Sequence, residues 1–75
     1  MREIVGTARI IEVGFDTDRM LRWFVIEFSP PWNGQKLKRV YHCAMTDDML
    51  PLPMSDDMIK SFQTRYARRL GYELV

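Results

Sequence analysis

The segment from Ser55 to Tyr72, SDDMIKSFQTRYARRLGY, carries agreeing helix signals from start to stop, and it fixes what the rest of a 75-residue chain can be. Ser55 is a capping residue, Asp56 and Asp57 suit the positive end of a helix dipole, and Arg68 and Arg69 suit the negative end. Gly71 then stands where a left-handed residue ends a helix, and Tyr72 is placed to pack back over the last turn. Upstream of this helix every ordered stretch reads as strand. A chain this short forms one domain, residues 1–75, and buries only about 60% of the surface its unfolded state exposes.

Residues 3–14, EIVGTARIIEVG, are rich in β-branched side chains and end on a glycine, and residues 14–19, GFDTDR, read as a polar turn. Residues 20–28, MLRWFVIEF, are the most strand-like run. Residues 29–36, SPPWNGQK, are expected to break it, because Pro30 and Pro31 lack backbone donors and Asn33-Gly34 favours a turn. Residues 37–45, LKRVYHCAM, resume as a strand, so the centre of the chain is a hairpin with a wide tip. The expected architecture is α+β: a three-stranded antiparallel sheet followed by one C-terminal helix, with a short extra strand at Glu73–Val75 as an extension. The alternative is a small SH3-like barrel ending in that helix.

Alternation along residues 20–28 places Met20, Arg22, Phe24, Ile26 and Phe28 on one face and Leu21, Trp23, Val25 and Glu27 on the other. Both faces are largely apolar, and one helix covers only one of them. Phe24, Ile26 and Phe28 are assigned beneath the helix, with Val40 and Ala44 as neighbours, and Trp23 and Tyr41 to the outer face near Arg39. An uncovered apolar face points to a second copy of the chain, a partner, or closure into a barrel. Trp32, on a stiff loop beside Pro31, is either a binding anchor or a lid folded onto the core. On the helix, Ile59, Phe62, Tyr66 and Leu70 form one narrow packing stripe, while Lys60, Thr64, Arg65, Arg68 and Arg69 occupy the remaining circumference. That basic face is either a solvated helix back or a grip for phosphates or an acidic protein surface.

Catalytic chemistry finds no foothold in these residues. His42 is the only histidine and Cys43 the only cysteine, and adjacent strand residues point to opposite sides, so they form neither a nucleophile and base nor half of a zinc site. The four glycines are dispersed and build no phosphate cradle. Met45-Thr46-Asp47-Asp48-Met49 is echoed by Met54-Ser55-Asp56-Asp57-Met58. Two successive helix caps explain this echo, whereas a Mg²⁺ or Ca²⁺ site built from the four aspartates would need a ligand spacing that is not present. No metal or other cofactor is therefore expected.

A single cysteine, no apolar run near the ~18 residues of a membrane span, and no apolar leader after Met1 lead to a cytoplasmic expectation. The formal net charge of +1, from 11 basic and 10 acidic residues, disfavours both a DNA mimic and an indiscriminate polycation. The function read from these residues is a non-enzymatic protein-binding module, an inhibitor or adaptor of the small kind encoded by phages and mobile elements. It would act through Trp23, Trp32, Arg39, Tyr41, Arg65, Arg68 and Arg69, with a homodimer expected through the outer sheet face. The alternative is a single-stranded nucleic-acid-binding protein using Trp23, Tyr41 and the basic residues. Residues 22–28 resemble the base-stacking strand of RNA-recognition domains in their aromatic and basic content, although they lack its glycines and no helix separates the first two strands.

Overall fold

The computed structural model describes residues 3–43 and 55–75. Strands β1 (Gly6–Asp16), β2 (Leu21–Trp32) and β3 (Gln35–Cys43) run as an antiparallel meander, followed by helix α1 (Asp56–Arg69) and strand β4 (Tyr72–Leu74). The sheet order is β3-β2-β1-β4, with β4 parallel to β1 over Gly6–Ala8. The architecture is thus α+β with a mixed, four-stranded sheet, one strand more than the three expected. The extra strand forms because α1 carries the chain across the sheet and Gly71, at φ 94°, turns it alongside β1. The order is open, with β3 and β4 at its edges, so the barrel alternative is not what these residues build.

Two expected boundaries move. β1 continues past Gly14 to Asp16, whose carboxylate accepts from the backbone N–H groups of Asp18 and Arg19 and so shapes the turn itself. β2 runs through Pro30 and Pro31 to Trp32 instead of stopping at Phe28, and the Ser29–Pro30 peptide is cis. The prolines fit because the β2–β3 register breaks between Glu27 and Trp32, where no ladder donor is required of them. Asn33 and Gly34 make the turn that follows, both with positive φ.

The core lies between α1 and one sheet face. Phe24, Ile26 and Phe28 are fully buried there with Ala8, Ala67 and Tyr72, and Val40 packs against them. Edge-to-face contacts tie the middle of α1 to the sheet, with Phe24 6.2 Å from Phe62 and 5.9 Å from Tyr66, centroid to centroid. Phe62, Tyr66 and Leu70 pack against the core and Ile59 lines the groove beside it, but the most buried helix residues are Gln63 and Ala67, which lie to one side of that stripe. At Ala67 a small side chain lets the helix backbone come close to the strands. The N-terminal cap follows the sequence, the Ser55 hydroxyl accepting from Met58 N–H at 3.3 Å, and Gly71 ends the helix with positive φ, but Tyr72 packs 4.8 Å from Phe28 and donates to the Pro30 carbonyl at 2.7 Å instead of folding back over the last turn.

At 14 residues α1 is about 21 Å long, whereas the 11 residues of β1 span about 37 Å. The helix therefore leaves one end of its own sheet face uncovered, and Val13 and Phe15 are exposed there.

Candidate interaction surface

On the face turned away from α1, the pairing of β1, β2 and β3 sets Gly14, Trp23 and Tyr41 in one row and Glu12, Val25 and Arg39 in the next. Trp23 lies across the backbone of Gly14, where a Cβ would collide with the indole ring. The absent side chain is what lets the ring lie flat. Arg39 covers the other side of that ring, its Cζ 4.3 Å from the centroid, and Arg19 lies 5.8 Å from the Tyr41 centroid. Beneath them Val25 is buried, so the outer face is an aromatic layer roofed by cations and not the bare apolar face expected from alternation.

The cationic character continues round the free edge of β3. Lys38, on the helix side of that strand, places Nζ 4.5 Å from the Trp32 centroid and 5.7 Å from that of Tyr66. Next to it, a cleft of about 330 Å³ opens between β3 and α1, with Tyr41 and Val40 on one wall and Arg65, Tyr66 and Arg69 on the other. Arg65 and Arg69, four residues apart, share a helix face.

Ion pairing separates the cations into two groups. Arg9 pairs with Glu27 at 2.7 Å, Arg68 with Glu73 at 3.2 Å and Arg19 with Asp16 at 3.7 Å. Lys36, Lys38, Arg39, Arg65 and Arg69 make no ion pair among the described residues. All five lie on β3 or on the helix beside its edge.

Of the residues singled out from sequence, Trp23, Arg39 and Tyr41 come together on the outer face, and Arg65 and Arg69 reach the same edge. Arg68 does not: it points toward β4, into its pair with Glu73. Trp32 takes the lid position, 5.9 Å from Phe28 at the edge of the core, away from Trp23. Lys38, Arg19 and Gly14 were missed. Strand alternation from Val40 would have found Lys38, while Gly14 and Arg19 matter only through cross-strand neighbours.

His42 is a packed histidine, stacked on Phe62 at 4.8 Å and near Phe24 at 6.0 Å. Burial, and secondarily the Arg22 charge, holds its pKa below the usual 6.5. Among the described residues no three His, Cys, Asp or Glu side chains gather as a metal site, and no helix is long and apolar enough to cross a membrane. Ala44, the aspartates 47 and 48 and the rest of the first echo lie outside the described residues. No protein-family model matches this chain, and searches of curated proteins and of solved structures found no match.

Proposed function

We propose that this protein is a non-enzymatic binding module whose β3 edge and adjoining cationic aromatic surface take an extended, acidic segment of a partner protein. The observation that carries this reading is a cluster of five cations without ion-pair partners among the described residues, three on the nine-residue edge strand and two on the helix beside it. An edge strand offers a row of backbone donors and acceptors to an incoming strand. Lysine and arginine on that row repel another basic edge and favour carboxylates, so they select among partners as well as attract them. The inhibitor or adaptor role and a cytoplasmic setting belong to the same reading.

The rival is single-stranded nucleic acid, favoured by the same cations and by the aromatic rings at Trp23 and Tyr41. Two features weigh against it. The indole faces at Trp23 and Trp32 are already occupied by Arg39 and Lys38, so stacking a base would first displace a cation. The net charge is also near neutral, which limits the phosphate attraction that supplies most non-specific affinity.

Fluorescence anisotropy separates the two, using a labelled peptide of alternating glutamate and valine and a labelled mixed-sequence oligonucleotide. The expected result is saturable peptide binding that a Lys38, Arg65, Arg69 triple-alanine variant weakens by about tenfold or more, since close charge pairs at interfaces couple strongly. Oligonucleotide binding is expected to be weaker than about 10 μM at about 150 mM salt. Tight oligonucleotide binding that the triple variant abolishes would overturn the proposal in favour of its rival.

A further inference from the structure

Where the sheet outruns α1, the pairing of β1, β2 and β3 sets Phe15, Arg22 and His42 side by side on the helix-side face. A groove of about 600 Å³ lies between this row and the first half of α1. That volume falls in the range of small-molecule sites. Its floor is apolar, formed by Ile10, Val13 and Phe15. Lys60 and Gln63, on α1, bring an ammonium and an amide to the opposite wall.

Arg22 is the unusual member. Its guanidinium lies 5.9 Å from the Phe15 ring, and among the described residues its buried Nε has no hydrogen-bond partner and its side chain makes no ion pair. Buried donors are nearly always satisfied, and an arginine without a counter-charge at the end of an apolar groove suits an anionic ligand. Asp56, also in the lining, sits in the first turn of α1, where the helix end offsets part of its charge. Arg22 and Lys60 bring two cationic side chains to the lining.

We propose that this groove binds a small monocarboxylate with an apolar body, its carboxylate pairing with the Arg22 guanidinium, with Lys60 at the rim, and its body lying along Ile10, Val13 and Phe15. The site is separate from the β3 edge and does not rest on the function proposed above.

The test is calorimetric titration of the full chain with three probes of equal length: octanoate, octan-1-ol and octylammonium. Octanoate should bind saturably, and the other two at least about tenfold more weakly, the scale expected for a charge-assisted bond in a partly desolvated site. Arg22→Gln and Lys60→Gln should each weaken octanoate by about fivefold or more and leave octanol unchanged, while Asp56→Asn should strengthen octanoate. Lys60 is exposed, so if Arg22→Gln fails to fold, as read by circular dichroism, Lys60→Gln decides. Octanol binding as tightly as octanoate would overturn the proposal, as would no saturation by octanoate up to about 5 mM, or octanoate affinity unchanged in the folded variants.

Discussion

Gly14 and Trp23 are nine positions apart in sequence, yet each sets the other's environment. The glycine leaves the space over which the indole lies, and the indole in turn becomes the platform for Arg39. Gly14→Val should expel the ring and cost about 1–3 kcal/mol, as overpacking does. In a Trp32→Phe background, where Trp23 is the only tryptophan, its emission should shift to the red, and an unshifted spectrum would show that the ring does not depend on the glycine. In sequence Gly14 read as the start of a turn, because a glycine carries no mark of its cross-strand neighbour. His42 allows a second test at this scale. Its folded pKa lies below the unfolded value of about 6.5, so as pH falls the unfolded chain takes up the proton first. The stability linked to His42 is therefore fully present above about pH 6.5 and declines as pH drops through the lower folded pKa. Arg22 sits directly across from it on β2, and Lys60 and Asp56 line the same groove. Denaturant melts at pH 7.5 and 5.5 should show a larger loss for the wild type than for His42→Phe, and equal losses would remove His42 as the cause.

At the scale of elements, the helix was the most legible part of the chain because capping chemistry is local. Ser55 and Gly71 both act within a few residues of where they stand. Which helix residues would be most buried was less legible: Gln63 looks solvated and Ala67 looks neutral, and their burial follows from how closely the helix approaches the sheet. The prolines of β2 misled for a related reason, since a missing donor matters only where the ladder needs one, and register is a property of two strands. β4 was foreseen only as an extension, because three residues carry too little pattern to announce a strand. The cap and the packing can be ranked. Ser55→Ala should cost about 0.5–2 kcal/mol. Phe62→Ala, which removes the ring joining Phe24 to His42, should cost about 3 kcal/mol, near the low end for a large aromatic because Phe62 is only partly buried. Denaturant melts that reverse this order would contradict the packing of α1 on the sheet.

For the whole molecule, a net charge of +1 conceals a segregated distribution. Five of the cations without ion-pair partners among the described residues, Lys36, Lys38, Arg39, Arg65 and Arg69, come from two stretches of chain that only the fold brings to one edge. Counting charges in sequence therefore argued against an electrostatic surface that the structure contains. The same segregation bears on self-association, which alternation along β2 led one to expect through an uncovered apolar face. With Val25 buried and Trp23 roofed by Arg39, much of the apolar area that would drive a dimer is already withdrawn from water. Pairing two β3 edges would bring Lys36, Lys38 and Arg39 of one copy against those of the other, the kind of like-charge contact by which edge strands resist joining. Sedimentation velocity at micromolar concentration and about 150 mM salt, above which surface repulsion is increasingly screened, should therefore show a monomer. Trp23→Lys should leave that mass unchanged, and raising the salt to about 1 M, where the screening length falls to about 3 Å, should be the condition most favourable to a dimer. A dimer already present at about 150 mM salt and dispersed by Trp23→Lys would mean that the aromatic layer outweighs its cationic roof, and that a second copy of this chain, and not an acidic segment, is its first partner.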